Sequence, residues 1–177
     1  MVKNKMVLEA QAGESEASLT QVNGLLLPLS DTDLLVPQLA VAEVVSWGEL
    51  SEGAFRPSES AASPHCYGWI SWRFQDIPLL SFDSLYQGQK PVLDKDVKIV
   101  ICNAVFKAAA LGFYALLLTG FPRAIRLNME AEMALEGEPS DRDAVQMCVN
   151  IDGQEALIPD FDFLEQIVCD IVATKNK

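Results

Sequence analysis

Few side chains here have the type and spacing that catalysis needs. The single histidine, His65, stands between Pro64 and Cys66 at the end of a Ser- and Pro-rich stretch. Neighbouring side chains on an extended chain point to opposite faces, so His65 and Cys66 do not form a base–nucleophile dyad by adjacency. His65 reads as a surface residue near a strand entry. Cys66, Cys102, Cys148 and Cys169 are widely separated, with no Cys-x-x-Cys and no second histidine to complete a zinc site. They read as free, mostly buried thiols of a reducing compartment. Neither Gly-x-x-x-x-Gly-Lys, nor Gly-x-Gly-x-x-Gly, nor a Gly-x-Ser-x-Gly elbow occurs. The acidic stretch 129–143 lacks the spacing of a calcium loop and reads as a solvated loop with one helical turn. No cofactor, no metal and no enzymatic activity is expected.

Recognition chemistry is better supplied. Arg73 follows Trp69-Ile70-Ser71-Trp72 and precedes Phe74. A guanidinium amid that much apolar surface needs acceptors, from a carboxylate of the same chain or from a partner. Tryptophan with arginine is the composition of a binding hot spot, and Trp47, Trp69, Trp72 and Phe74 supply aromatic surface around this cation. Two readings stand side by side: core aromatics with Arg73 paired internally to Glu43, or a surface that grips another protein.

The elements that must position these residues are short strands. Trp69–Arg73 alternates as a strand with Ser71 and Arg73 on one face, Gln75-Asp76 supplies a turn, and 77–82 returns as an apolar strand. Upstream, Gly24–Ser30 and Leu34–Val36 make a hairpin around the polar turn Asp31-Thr32-Asp33, ended by Pro37, and Val41–Trp47 is a third strand. Residues 48–64 read as a loop and 83–96 as a polar crossing. Val97–Cys102, Phe113–Leu118 and Arg123–Leu127 are further strands. Asp152-Gly153 marks a type I′ turn between 144–151 and 154–158. Asp162 as N-cap, with Glu165 three residues on, opens a last helix whose Phe163, Leu164, Ile167, Val168, Ile171 and Val172 share one face. About ten short runs between turn signals favour an all-β barrel or sandwich over alternating α/β.

Composition bounds the function. The 177 residues suit one domain or two small subdomains sharing a core, and half of them are hydrophobic. Thirteen basic against 25 acidic residues give a net charge of −12, which repels polyphosphates, so no nucleic-acid partner is expected. The longest uncharged apolar run, Ala108–Leu118, is about half of the roughly 20 residues a membrane-spanning helix needs. No secretory signal is evident, because Glu9, Glu14 and Glu16 arrive too soon after the lysines, and a cytoplasmic location with no membrane insertion is expected. Residues 1–22 are polar and acidic and read as a mobile arm.

Residues 68–82, Gly-Trp-Ile-Ser-Trp-Arg-Phe-Gln-Asp-Ile-Pro-Leu-Leu-Ser-Phe, resemble the Gly-x-Ile-x-x-Arg-Gly-x-x-x-Pro-x-x-Asp-hydrophobic signature of the CheW family of chemotaxis adaptor domains. Gly68, Ile70, Arg73, Pro78, Leu79, Leu80 and Phe82 occupy matching places, while Phe74 replaces the usual glycine and Ser81 a frequent aspartate. The Leu-Leu-Val-Pro-x-x-x-Val-x-Glu-Val-Val run from Leu34 to Val45 resembles the family's first hairpin, and Thr119 falls where a family aspartate is often seen. The divergence is similar to that of the ChpC-type accessory proteins of type IV pilus chemosensory systems. The resemblance implies two packed five-stranded SH3-like barrels closed by the C-terminal helix, spanning 23–177, with the second barrel at roughly 85–150. It implies a non-enzymatic adaptor that couples methyl-accepting chemoreceptors to the regulatory domain of a CheA-type histidine kinase, in chemotaxis or twitching. Val41, Glu43, Arg73 and Phe74 match receptor-contacting positions, and Phe121 and Ile125 are the expected kinase-facing residues. Alternatives are a CheW-fold spacer or competitor that binds one array partner, and a small-molecule-binding β-barrel.

Overall fold

The computed structural model describes residues 21–58, 64–88, 92, 96–128, 138–139 and 142–175. Twelve strands are described: β1 Gln21–Pro28, β2 Asp33–Pro37, β3 Val41–Ser46, β4 Phe55–Pro57, β5 Cys66–Trp72, β6 Gln75–Leu80, β7 Lys98–Asn103, β8 Phe113–Leu118, β9 Arg123–Asn128, β10 Glu138–Pro139, β11 Val145–Ile151 and β12 Gln154–Pro159. Two helices are described with them, α1 Phe82–Gln87 and α2 Phe161–Lys175. One sheet runs β10-β11-β12-β2-β1-β9 and the other β3-β7-β8-β6-β5-β4. Each has five strands of five or more residues and one short strand at an edge, β10 or β4. The fold is therefore all-β with two SH3-like subdomains and a C-terminal helix. Sheet membership divides the chain differently from the expected 85–150: strands between 41 and 118 form one sheet, inserted between the two halves of the other. Residues 1–20 and most of 129–141 lie outside the described residues, and Gln21 and Val22, expected in the arm, already belong to β1.

Alternation along the strands creates three cores. Ile99 and Ile101 of β7, Ala115 and Leu117 of β8, Ile77 and Leu79 of β6, and Ile70 and Trp72 of β5 fill the interior of one curled sheet. Leu26, Leu35, Val149 and Ala156 fill the interior of the other. The opposite faces of the same strands meet in a seam: Val100, Cys102, Tyr114, Leu116 and Leu118 against Leu27, Leu34, Val36 and Leu157. Strands buried on both faces read as unbroken apolar runs, which is why 97–102 and 113–118 carry so little polarity. α2 closes the seam with Leu164, Val168 and Ile171, each contributing roughly 2 kcal/mol by burial. Polar stitches fix the two sheets to each other. The Asp83 carboxylate accepts from Ser30 N–H and Oγ, both at 3.1 Å, and the Thr119 hydroxyl donates to the Leu29 carbonyl at 2.8 Å.

Turn chemistry sets the registers. The hairpin at Asp152-Gly153 forms as its sequence dictates, with φ of 51° and 83° and Ile151 paired to Gln154. The β5–β6 turn does not fall at Gln75-Asp76. It falls two residues earlier, at Arg73-Phe74, because pairing Trp72 with Gln75 and Ile70 with Ile77 places Trp72, Ile70 and Ile77 together inside the barrel. Trp69, of opposite parity, points into the seam. The expected crossing at 83–96 begins instead with α1, whose N-cap is Ser81, accepting from Ser84 N–H at 3.1 Å. Serine and aspartate cap equally well, so the departure from the family aspartate leaves this contact's chemistry unchanged. The cap of α2 is Asp160, whose carboxylate accepts from Phe163 N–H at 2.9 Å, and not Asp162. Glu165 accordingly plays no capping role and turns into the protein.

Gly68 is dictated by close approach. A Cβ there would lie 2.1 Å from the Arg56 carbonyl oxygen and 2.9 Å from Pro57 Cα, where the short β4 is drawn onto β5. Backbone atoms cannot give way as a side chain can. Gly68→Ala is expected to cost about 1–3 kcal/mol, read as a lower midpoint in chemical denaturation.

Candidate functional site

β3 and β5 are separated by three strands in their sheet, yet the Trp72 indole Nε1 donates to Glu43 Oε2 at 2.9 Å. The sheet therefore curls until its two ends meet, and that closure builds the site. Arg73, first residue of the turn beyond β5, brings Nη2 to the same Glu43 oxygen at 3.0 Å, and its guanidinium carbon lies 4.5 Å from the centre of the Trp72 ring. Glu43 thus receives two donors of different standing. The indole is buried with its residue, whereas the arginine side chain keeps 70% of its surface exposed. Arg73 is thus paired within the chain, as the first reading expects, and yet largely exposed.

Phe74 is fully exposed beside it. The Arg73 and Phe74 backbones have φ of 46° and 64°, the left-handed region that costs a non-glycine residue roughly 1 kcal/mol or more. A two-residue type I′ turn requires positive φ at both places. The family glycine would satisfy this without strain at position 74; here a phenyl ring is carried there instead. Gln75 secures the turn from the next position, its Nε2 donating to the Leu111 carbonyl at 2.7 Å.

Val41 and Glu43 enter from β3, where a bulge between them pairs Val41 with Cys102 and Glu43 with Ile101. Val41 is half-buried against the seam, so of the four residues expected to contact a receptor, Glu43, Arg73 and Phe74 are gathered at one end of the barrel and Val41 lies at the start of the same strand. The other aromatics disperse. Trp47 packs edge-on against Phe55 with ring centroids 4.9 Å apart, Trp72 against Phe113 at 4.8 Å, and Trp69 holds Lys175 Nζ 3.7 Å from its ring centre. The expected aromatic surface around Arg73 therefore reduces to one face of Trp72 and the free ring of Phe74.

The two expected kinase-facing residues are unlike each other. Phe121 is exposed with Lys98 Nζ 4.6 Å from its ring centre, whereas Ile125 packs into the interior of the first sheet alongside Leu127 and Met147. Apolar residues that sequence reasoning passed over are also exposed: Leu39 in the turn before β3, and Val105 and Phe106 between β7 and β8. Their signal was available, since an apolar pair inside a turn segment has no strand or helix period that would bury it.

Burial pushes the Cys102 thiol up to about 12 and raises Tyr114 beyond its ordinary range. Burial also raises Cys66, and the neighbouring His65 shares a hydrogen bond with Ser84 Oγ at 3.2 Å. Among the described residues there is no cluster of metal-ligating side chains, and no helix is long and apolar enough to cross a membrane. Among the described residues, clefts of about 540 and 180 Å³ are lined respectively by residues around Asp31, Tyr86 and Arg123 and by residues around Asp83 and Thr119.

Two substitutions separate the contributions at the site. Glu43→Ala is expected to cost about 1–3 kcal/mol because it leaves a buried indole N–H unpaired, whereas Arg73→Ala is expected to cost under about 1 kcal/mol, as exposed ion pairs do. Urea denaturation of both variants checks the order. Phe74→Gly is expected to stabilise the fold by roughly 1 kcal/mol by removing left-handed strain, read in the same measurement.

Against this geometry, a family model described as the CheW-like domain matches residues 23–167. Comparison with curated protein sequences returns no match. Among solved structures, the crystal structure of the scaffolding protein TtCheW from Thermoanaerobacter tengcongensis is similar, with a TM-score of 0.62 and 17% identity over 81% of this chain and 86% of that one. At that identity the likeness is one of fold.

Proposed function

This chain belongs to the CheW-like domain family, and from that premise we propose that it is a non-enzymatic adaptor joining methyl-accepting chemoreceptors to a CheA-type histidine kinase in a cytoplasmic chemosensory array. One observation carries the reading: an arginine displayed at 70% exposure on a strained, rigid turn, steadied by a carboxylate and an indole, beside a free phenyl ring. A guanidinium needed only for stability gains nothing from such exposure, since a surface pair is worth about 0–1 kcal/mol. As a hot spot it is well formed, because the partner meets a cation whose rotamer is already fixed.

In this reading Glu43, Arg73 and Phe74, with Val41 behind them, receive the helical tip of a chemoreceptor. Phe121 faces the kinase's regulatory domain, with Ile125 supporting the strand from within. The protein acts by mass action and geometry, holding two partners in a fixed relation without altering a covalent bond. Phe74 favours the finer assignment to the ChpC-type accessory proteins of type IV pilus systems, whose output is twitching, since a phenyl where glycine is usual changes the shape a receptor must fit. The same residue favours a second reading, a spacer or competitor that engages one partner only.

Arg73→Glu is expected to weaken binding to a receptor cytoplasmic fragment by about tenfold or more while leaving retention on the immobilised kinase regulatory domain and the circular-dichroism spectrum unchanged. Unaltered receptor affinity would remove Arg73 from the interface. A melted spectrum would make it structural. Failure of the wild-type protein to bind the kinase domain at all would favour the spacer.

A further inference from the structure

The 104–112 segment between β7 and β8 carries two exposed apolar side chains, Val105 at 65% and Phe106 at 54%. Hydrophobic side chains gain nothing from standing in water, yet their backbone is held with unusual care. The Glu165 carboxylate, wholly buried on α2, accepts from the N–H groups of Val105 and Phe106 at 2.8 Å each and of Ala108 at 2.9 Å. One turn along α2 the Cys169 thiol donates to the Lys107 carbonyl at 3.4 Å, and Phe161 stacks on Phe106 with centroids 6.5 Å apart.

Burying a carboxylate is costly, and an apolar residue would serve a helix that only had to cover a core. What the carboxylate supplies is a fixed backbone, since three charge-assisted bonds define where the loop stands and leave its side chains free. That loop adjoins the site already described. Its far end accepts the bond from Gln75, directly after Phe74, and its near end follows Asn103, whose Nδ2 donates to the carbonyl of exposed Leu39 at 2.8 Å. Asn103 in turn pairs with Phe113, which packs on Trp72 under Arg73.

We infer that Glu165 is a positioning residue that sets the 104–112 loop as an apolar wall beside Arg73 and Phe74, so that Leu39, Val105 and Phe106 take the apolar face of the same receptor helix whose acidic group meets Arg73. The inference rests on the receptor reading proposed above. An amphipathic helix offers a carboxylate and an apolar stripe at adjoining positions, matching a cation flanked by apolar side chains.

The test uses the full-length protein, a purified receptor cytoplasmic fragment as probe, and three variants. Val105→Ser/Phe106→Ser, changed only at exposed positions, is expected to keep its stability and lose about fivefold or more in affinity. Glu165→Gln keeps the side chain's shape and replaces one acceptor oxygen with a donor. It is expected to raise amide hydrogen exchange at Val105, Phe106 and Ala108 by about tenfold or more, to leave the middle of α2 protected, and to lose receptor affinity. Arg73→Glu serves as the control for the underlying reading. If it binds receptor as the wild type does, the receptor reading fails at its own residue. If it weakens binding while the Val105/Phe106 variant binds normally, the wall inference alone is overturned, whether or not Glu165→Gln folds. Glu165→Gln with unchanged loop exchange overturns the positioning role.

Discussion

Burial of single strands on both faces is the constraint from which the rest of this structure follows. β7 and β8 give alternate residues to the interior of one barrel and to the seam with the other, so neither sheet has a solvated face along its centre. Polar groups are kept to the ends of these strands and the segments beside them, where they are spent as stitches: Asp83 of α1 with Ser30, Thr119 just beyond β8 with Leu29, and Asn103 at the end of β7 with Leu39. The residues proposed for recognition consequently lie at the barrel's rim, where strands end and turns begin. Glu43, Trp72, Arg73 and Phe74 all lie there.

The rim site divides its work among those four residues. Trp72 is anchored on both sides, by Phe113 and by its bond to Glu43, and Glu43 is held through the indole irrespective of what Arg73 does. The guanidinium rests on this platform through a stacked ring and one ion pair. Rigidity thus comes from buried groups and exposure is left to Arg73 and Phe74, the division that the proposed recognition role calls for, since its ordering cost would be met before a partner arrives.

What could be read from the chain tracks where local physics decides. The Asp152-Gly153 hairpin and the strand runs at 97–102 and 113–118 are set by turn chemistry and apolar content within a few residues, and the all-β class followed from them. The pairing of Arg73 with Glu43 was legible as one of two readings because a guanidinium among indoles demands an acceptor. The turn at Arg73-Phe74 was not legible, since neither residue favours positive φ, and only the need to bury Trp72 with Ile77 across the barrel overrides that preference. Nor was Glu165: at Asp162 plus three it imitates a capping partner, and its true acceptor role depends on a loop nearly sixty residues away. The subdomain boundary was missed for the same reason, being settled by which distant strands pair.

That pairing carries a consequence for biosynthesis. The sheet drawn from residues 41–118 is contiguous in sequence, whereas its companion needs β1 to meet β9 and β2 to meet β12, partners about a hundred or more positions apart. Closing so long a loop is entropically slow, and domains generally fold as units while the nascent chain emerges. The inserted barrel is available to form first on the ribosome, leaving the β1–β2 hairpin with its apolar side uncovered until β9 and β12 have emerged. During that interval the apolar residues of β1 and β2 face water, which makes the incomplete chain the state most exposed to aggregation.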